Sequence, residues 1–491
     1  MKNKKWMAIL LGGIMAASLA APCSVSAADK TTITFWHAMG GTNGEVLQQI
    51  VDDFNASQDE IEIKAEYQGT YDDTITKLKA AMQSDSGLPD VCQMYDVGTK
   101  FMYDSGSVIP VEDKFESTGY DKSSVMDVIS SYYTVDGKQY GMPFNVSTPM
   151  LYYNKDVFEA AGLDPETPPT TYDEVLEDSK KIVESGAAPV GYSQAIYGWF
   201  FEQQLAGLGL TYGNNDNGRT EAVTAVDFDS NGGGLKVFDM WKKLYDSGYF
   251  EDYGTTTADT QTAFFSGQVG MIIESTAILK NAVDSSPFEV GTGYLPRIEK
   301  NDEGGVIIGG GSLWLTDTGN EANEDAAWKF IEYITTPDVQ AKWSMGTGYF
   351  AINEKAYETD DMKAYLKENP NFETAINQLK DSPVNANTAG VLSGVQTEAR
   401  LTFNEIMPQV YDGKLYWLSG SILYRMDLDG TNREAFQKVE AINGLSPQFY
   451  IHRGYLYTCL VGFQVTSAEA QGTMKIKRYP LGEEAEPVIV F

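Results

Sequence analysis

The amino-acid sequence predicts an α/β body followed by a short all-β tail. Strand and helix patterns alternate from residue 30 to about residue 410, which is typical of α/β folds. After residue 410 the patterns become short alternating strands. Residues 411–491 hold eight Lys and Arg against nine Asp and Glu, so nearly all of the net charge of −33 lies before them. A chain of 491 residues also exceeds what one hydrophobic core usually serves, so we expect several folding units.

The first 27 residues have the features of a secretory signal peptide. Three lysines precede an apolar run that is shorter than the roughly 20 residues a membrane-spanning helix needs. Small residues follow, and Val25-Ser26-Ala27 fits a cleavage site. We therefore predict export, with the mature protein periplasmic or associated with the cell surface. A lipid anchor on Cys23 is the alternative, although Pro22 replaces the small residue that a lipobox has there.

Composition argues against several classes of function. The strongly negative charge disfavours nucleic acid and anionic lipid as partners. The two histidines, His37 and His452, lie far apart in the sequence, and no C-x-x-C or H-E-x-x-H spacing occurs, so we predict no metal site and no cofactor. Nothing marks an acid–base pair or a Ser/His/Asp set, so an enzyme is not predicted. Cys92 and Cys459 remain after processing and imply no disulfide framework.

Three strand patterns open the body, at Thr31–His37, Ile61–Tyr67 and Asp90–Asp96. The helix pattern after the first strand places apolar residues on one face, with Asn43 as its predicted cap. A second helix pattern begins near Tyr71. Strands separated by helices of this length predict right-handed crossovers and a mainly parallel sheet.

Polar or aromatic residues follow each of these strands, namely Trp36-His37, Gln68 to Tyr71, and Asp96. Because ligands bind beyond the carboxyl ends of parallel strands, their recurrence at one end of the sheet indicates a binding cleft. The stretch PFNVSTPMLYYNKDVFEAAGLDP, residues 143–165, raises the same expectation. Its hydroxyl and amide residues lead directly into an apolar strand, Met150 to Tyr153.

That stretch and six others resemble the extracellular solute-binding proteins of ABC transporters, and within that family the glycerol-phosphate-binding members. The other segments are TITFWHAMGG, YQGTYDDTITKLKAA, LPDVCQMYDVGT, GQVGMIIEST, IIGGGSLWL and WSMGTGYFAIN. Together they cover about residues 30–413 in order. The resemblance implies a protein that captures sn-glycerol 3-phosphate or a glycerophosphodiester and delivers it, as a monomer, to the membrane permease of an importer.

The resemblance also implies a two-lobe periplasmic-binding-protein fold with the ligand in the cleft between the lobes. We expect lobe I at residues 29–143 and 275–330, and lobe II at residues 144–274 and 331–410. Ser147 would then lie where the chain passes from one lobe to the other. This position would explain the polar residues at the start of the strand, because they would face ligand and not the core.

Seven ligand-binding residues follow from the resemblance: Tyr71, Asp96, Ser147, Ser275, Gly310, Tyr349 and Arg400. Asp96 stands where the family commonly has Glu, so the carboxylate is kept on a shorter side chain. A guanidinium fork suits a phosphate, and backbone N–H groups of a Gly-rich strand suit an anion. The alternatives are that Arg400 lies on a solvated helix face, that the glycines form a bulged strand, and that the tyrosines belong to the core.

One departure from the family concerns the identity of the ligand. Ile196 occupies the position where the family places a tryptophan against its ligand, with Tyr197 and Trp199 close by as candidate substitutes. A changed aromatic wall is compatible with a larger glycerophosphodiester or with a sugar. A sugar- or oligosaccharide-binding protein of the same transporter class is therefore the alternative function.

The tail, residues 411–491, resembles β-propeller-like repeats. Strand patterns at Leu415 to Leu418 and Ile422 to Leu428 precede a turn at Asp429-Gly430, and YIHRGYLYTCLVGF with MKIKRYPLGEE forms a looser second copy. Two such repeats cannot close a ring. Either the tail is a fragment joined to a foreign body, or it packs on the lobes as an appendage. If the repeats bind a protein or glycan, the chain is an interaction protein and the lobes are its scaffold.

Overall fold

The computed structural model describes residues 30–84, 87–419, 421–427, 431–439, 448–452, 455–466, 469–481 and 488–489. The predicted signal peptide, Cys23 and the predicted turn at Asp429-Gly430 lie outside these residues. Cys92 is a buried free thiol, and burial raises its pKa to about 12.

The strands are numbered in chain order. They are β1 (Thr31–His37), β2 (Ile61–Tyr67), β3 (Val91–Tyr95), β4 (Val108–Ile109), β5 (Thr134–Val135), β6 (Lys138–Gln139), β7 (Met142–Ser147), β8 (Pro149–Asn154), β9 (Val190–Ser193), β10 (Val269–Ser275), β11 (Val290–Gly293), β12 (Gly309–Thr316), β13 (Lys414–Ser419), β14 (Ile422–Asp427), β15 (Glu434–Lys438), β16 (Gln448–His452), β17 (Tyr455–Thr466), β18 (Glu469–Pro480) and β19 (Val488–Ile489).

The helices follow in the same order. They are α1 (Gly41–Ser57), α2 (Tyr71–Gln83), α3 (Thr99–Ser105), α4 (Val111–Thr118), α5 (Asp127–Ser130), α6 (Lys155–Ala160), α7 (Tyr172–Ser185), α8 (Gly198–Gly207), α9 (Asn214–Gly218), α10 (Gly233–Asp246), α11 (Thr257–Phe265), α12 (Leu279–Ser285), α13 (Glu321–Ile334), α14 (Pro337–Thr347), α15 (Asp360–Glu368), α16 (Asn371–Asp381) and α17 (Gln396–Asp412).

The first sheet has the strand order β2-β1-β3-β12-β4, with β7 also paired to β12. The predicted strands at its centre are confirmed, and β1 runs parallel to β2 and β3. The strand β12 is antiparallel to β3, β4 and β7, so the expectation of a mainly parallel sheet is wrong beyond β2-β1-β3. The reason is that the chain reaches β12 from β11, a strand of the other sheet, and not through a helix that connects neighbouring parallel strands.

The predicted helices α1 and α2 are present, but the predicted cap of α1 is wrong. The cap is Gly40, because the Gly44 N–H already donates to the Gly40 carbonyl, and Asn43 therefore lies inside the helix. The helix α2 starts at Tyr71, where Thr70 and Asp73 form a reciprocal capping box. This cap makes Tyr71 the first residue of the helix.

The second sheet has the strand order β11-β8-β10-β9. The strand β8 is antiparallel to β10 and β11, while β10 is parallel to β9. Helices α7, α8, α10 and α17 pack around a core that includes Tyr192, Phe200 and Trp241. We call the part built on the first sheet lobe I and the part built on the second sheet lobe II.

Two segments belong to a different lobe from the one that the sequence led us to expect. Val290–Gly293 pairs with β8, so this segment joins the second sheet although we expected it in lobe I. The helix α14 packs on α1, so residues 337–347 lie with lobe I although we expected them in lobe II. The strand pairing, which sequence periodicity does not specify, decides these positions.

The described part of the tail forms two antiparallel sheets, β13-β14-β15 and β16-β17-β18-β19. They share a small core of Tyr416, Leu423, Val439, Leu456 and Tyr479. The tail contacts the end of α17, where the Tyr416 N–H donates to Gln409 Oε1 at 2.7 Å. Among the described helices none is long and apolar enough to cross a bilayer.

Candidate functional site

The chain crosses between the sheets at Thr148, and three of the predicted site residues meet there. Ser147 pairs with Gly309, next to Gly310, at the end of β7, and Pro149 pairs with Ser275 at the start of β8. The Thr276 N–H donates to the Thr148 carbonyl at 2.8 Å, and the Thr148 N–H donates to Thr276 Oγ1 at 3.2 Å. The polar run in the sequence therefore lies at the boundary between the lobes.

The neighbouring glycines of β12 allow two backbones to approach closely. Gly310 has φ +89°, and a Cβ placed there would lie 1.8 Å from the Asn145 carbonyl oxygen. The β7–β12 register shifts at Gly311/Ser312, as in a β-bulge. The bulged-strand alternative is thus present in the structure. A role for these N–H groups in binding an anion stays a prediction.

Tyr71 and Tyr349 lie against the same strand, β7. Asn145 Nδ2 donates to the Tyr71 hydroxyl at 2.7 Å, and Asn145 Oδ1 accepts from Gln93 Nε2 at 2.7 Å. The Tyr71 ring stacks on Tyr95 with centroids 5.1 Å apart. Beside Tyr349, the Phe350 N–H donates to the Val146 carbonyl at 2.9 Å. Burial raises the pKa of both Tyr71 and Tyr349, so their hydroxyls are neutral hydrogen-bonding groups.

Ser275 is partly committed to local structure. Its Oγ accepts the Ala277 N–H at 3.1 Å and caps a short turn. Its carbonyl accepts the Tyr152 hydroxyl at 2.7 Å, and its own N–H donates to the Glu274 carboxylate at 2.7 Å. The Ser275 hydroxyl can still donate one hydrogen bond to a ligand.

Asp96 and Arg400 meet across the lobe boundary. Asp96 directly follows β3 in lobe I, and Arg400 belongs to α17 in lobe II. Arg400 Nη2 donates to Asp96 Oδ2 at 2.7 Å. Close by, the hydroxyls of Tyr95 and Thr397 are 2.9 Å apart. Arg400 is 8% exposed and Asp96 is 4% exposed, so the alternative of a solvated helix face is wrong.

A third charged residue, Glu202 of α8, completes this group and was not predicted from the sequence. Arg400 Nε donates to Glu202 Oε1 at 2.8 Å, and Nη2 donates to Oε2 at 2.7 Å. Gln396 Nε2 also donates to Glu202 Oε1, at 2.6 Å. Burial opposes the guanidinium charge, but Asp96 and Glu202 together hold the pKa of Arg400 well above its usual value. We call Asp96, Glu202 and Arg400 the buried triad.

Comparison with known proteins now identifies the family. The family model for bacterial extracellular solute-binding proteins matches residues 49–374. The sn-glycerol-3-phosphate-binding periplasmic protein UgpB of Escherichia coli (strain K12) is 31% identical over 391 residues, covering 78% of this chain and 88% of that protein. The protein of the same name from Shigella flexneri serotype 5b is 32% identical over the same share of each chain.

The chain belongs to the bacterial extracellular solute-binding proteins. Solved structures agree with this assignment. The cyclic alpha-maltosyl-1,6-maltose binding protein of Arthrobacter globiformis has a TM-score of 0.65 at 26% identity, covering 78% of this chain and 94% of that one. UgpB from Mycobacterium tuberculosis, in complex with glycerophosphocholine, has a TM-score of 0.68 at 22% identity, covering 78% and 95%. As in its family, the protein is the substrate-binding component of an ABC importer, and its relatives work outside the cytoplasm.

Two aromatic residues lie next to predicted site residues at the boundary between the lobes. Trp199 is 5% exposed and its ring packs on Gly309, where a Cβ would lie 2.5 Å from the indole. In the described part of the chain, its Nε1 has no hydrogen-bond partner. The Tyr197 ring centroid lies 5.9 Å from the Arg400 guanidinium. Ile196, in contrast, is fully buried in the core of lobe II.

A sequence signal for Glu202 did exist. The segment GWFFEQQLAG, residues 198–207, carries one carboxylate and no other charge among aromatic and uncharged residues, and a charge in such a helix needs a partner when it is buried. Gly198 is part of the same signal, because a Cβ there would lie 2.7 Å from Arg400 Cα. The glycine lets α8 approach α17 closely enough for Glu202 to reach the guanidinium.

Proposed function

We propose that this protein captures sn-glycerol 3-phosphate or a glycerophosphodiester between its lobes and delivers it to the permease of an ABC importer. The observation that carries the proposal is Arg400, a guanidinium at the lobe boundary whose Nη1 has no hydrogen-bond partner among the described residues. That nitrogen is available to a phosphate oxygen. The names of the relatives that are 31–32% identical support the same ligand class.

Each predicted residue has a chemical role in this proposal. Asp96 accepts hydrogen bonds from the glycerol hydroxyls, while the Gly310 N–H and the hydroxyls of Ser147 and Ser275 donate to phosphate oxygens. Tyr71 and Tyr349 supply further hydroxyls on apolar rings. To these we add Trp199, because a buried indole N–H without a partner among the described residues is a donor available to a ligand.

The proposal also includes the route of the chain and its working state. The signal peptide predicted at residues 1–27 directs export, and the mature protein acts as a monomer outside the cytoplasm. Ligand binding between lobes predicts a hinge motion on binding. Small-angle scattering should therefore give a smaller radius of gyration at saturating ligand than in free protein.

A sugar is the second candidate ligand, and the buried triad favours it. Two carboxylates already balance Arg400, and carboxylates are good acceptors for sugar hydroxyls. Tyrosine rings at the boundary would pack on a pyranose. The structural neighbour with 26% identity is a maltosyl-maltose-binding protein, which adds support for this candidate.

A thermal-shift titration of the full chain tests the function. At about 100 times its dissociation constant, a ligand adds roughly 2.7 kcal/mol to the free energy of unfolding. We expect this increase with sn-glycerol 3-phosphate or glycerophosphocholine, and no increase with inorganic sulfate as a control anion. Stabilisation by maltose alone would replace the first proposal by the second. No stabilisation by any of these solutes would overturn both.

A further inference from the structure

We infer that Glu202 is a specificity-determining residue that leaves the ligand site negatively charged, and so selects phosphodiesters and neutral solutes against dianionic phosphomonoesters. The inference rests on the proposed function and narrows its ligand class. It concerns a residue outside the set that the resemblance implied. The triad contains one guanidinium and two carboxylates, all of them buried.

Glu202 differs from Asp96 in being a permanent neighbour of Arg400. Both Glu202 and Arg400 belong to lobe II, on the packed helices α8 and α17, and two hydrogen bonds join them. Opening of the cleft therefore leaves this pair intact. Asp96 belongs to lobe I, so its single bond to Arg400 breaks when the lobes separate, and its carboxylate is then free to accept ligand hydroxyls.

The charge of the ligand decides how it meets this pair. A phosphomonoester carries about −1.5 to −2 at pH 7, because its second pKa is near 6, whereas a phosphodiester carries only one negative charge. Glu202 already neutralises Arg400, so a dianion gains little net attraction and meets two carboxylates in a poorly solvated site. A diester with a cationic head group, such as glycerophosphocholine, has no net charge.

Within the part of the chain that the structure describes, no cation besides Arg400 pairs with the two carboxylates. The titratable groups that interact with the triad there are Tyr71, Tyr95, Tyr132, Tyr133, Tyr197 and Tyr212, while Glu274 and Arg219 are neighbours of Tyr197 and Tyr132. Arg219 interacts electrostatically with Tyr132, and its N–H groups donate to backbone carbonyls. Burial raises the pKa of Tyr197 and Tyr212 to about 12, so these tyrosines are neutral near pH 7.

The test compares wild-type protein with Glu202→Gln by calorimetry. The probes are sn-glycerol 3-phosphate, glycerophosphocholine and maltose. We expect wild type to bind the diester or the sugar at least roughly tenfold more tightly than the monoester at pH 7.5. Glutamine keeps one acceptor for Arg400 but removes the charge, so it should reduce that ratio by roughly tenfold while changing diester or sugar affinity less. The exposed Glu177→Gln, with the same change of charge, should leave the ratio unaltered.

A second measurement uses wild type alone and does not depend on whether the variant folds. Between pH 7.5 and pH 5.0 the monoester becomes a monoanion, so its affinity relative to the diester should rise by roughly tenfold. The rise should be smaller in Glu202→Gln. Equal affinities for monoester and diester in wild type, or a ratio insensitive to both pH and the substitution, would overturn the role of Glu202 only. Failure of every probe to bind would overturn the proposed function, and the role of Glu202 with it.

Discussion

Two arginines lie at contacts between the lobes, and they differ in what they bind. Arg400 is paired with two carboxylates of the buried triad. Arg219, which follows α9 in lobe II, donates to the backbone carbonyls of Tyr132, Thr134, Ala389 and Gly390. Its guanidinium also lies 5.3 Å from the centroid of the Tyr132 ring. Within the described residues, no carboxylate lies at ion-pair distance from Arg219.

The difference in surroundings is reflected in the pKa values. Burial lowers the pKa of Arg219 to about 10, since carbonyl oxygens do not compensate fully for lost water. Burial also opposes the charge of Arg400, but Asp96 and Glu202 hold its pKa well above the usual value. Arg400 therefore acts through its charge, and Arg219 acts through the planar set of N–H donors on its guanidinium. The effect of substituting Arg400 on affinity should depend on the charge of the ligand, and the effect of substituting Arg219 should not.

Arg400→Ala should have the largest effect. It leaves Asp96 and Glu202 buried without a cation and should weaken binding of a glycerophosphodiester by about 2–5 kcal/mol in calorimetry. Arg400→Lys should restore only part of this loss, because an ammonium cannot bind both carboxylates as the planar fork does. With a neutral sugar as the ligand we expect a different order of effects. Asp96→Asn should then weaken binding most, and Arg400→Ala should have little effect.

The control for this prediction is Arg297→Ala, which removes an exposed arginine with the same change of charge. It should leave affinity unchanged. Wild-type affinity of Arg400→Ala for a phosphate ligand would contradict the assigned role.

Arg219→Ala should have the second largest effect, and it should be the same for every ligand. The loss of donors to Tyr132 and Thr134, which belong to lobe I, removes contacts across the boundary. We expect about 1–3 kcal/mol lower stability in urea unfolding, since several carbonyls lose their partner. Affinities for phosphate and neutral ligands should fall by equal factors. A loss confined to phosphate ligands would show that Arg219 acts through its charge and would remove the contrast with Arg400.

The sequence could predict local elements but not the partners of either arginine. β1, β2 and the start of α2 were predictable because periodicity and caps are local signals. The contact of Asp96 with Arg400 joins positions 304 residues apart, and Glu202 with Arg400 joins positions 198 apart. No local pattern specifies such pairs. The resemblance supplied Asp96 and Arg400, but Glu202 needed the packing of α8 on α17.

The short element α9, directly before Arg219, is a left-handed turn at its centre and gives a smaller test. Asn215, Asp216 and Asn217 have positive φ of 57°, 53° and 58°, a backbone conformation that favours glycine. Asp216 is exposed, so substitution there acts through the backbone. Asp216→Ala should lower stability by about 1 kcal/mol, whereas Asp216→Gly should keep or raise it. As a control, Asp229→Gly at an exposed position with ordinary φ should destabilise, and the opposite order at residue 216 would contradict the left-handed turn.

Removal of residues 414–491, the part of the tail that follows α17, should have the smallest effect, and it separates the two arginines in another way. Arg400 shares α17 with Gln409, which binds the tail residue Tyr416, whereas Arg219 has no described contact with the tail. Nine residues of helix, about 13 Å, separate Arg400 from Gln409. The end of α17 is also held by lobe II, because Tyr411 stacks on Tyr245 with centroids 4.3 Å apart. Affinity should therefore change by less than about twofold, or roughly 0.4 kcal/mol. If the shortened chain loses binding as Arg400→Ala does, the tail influences the position of the triad through α17. Retention of binding would place the ligand site in the lobes and would count against an interaction protein that works through its β repeats.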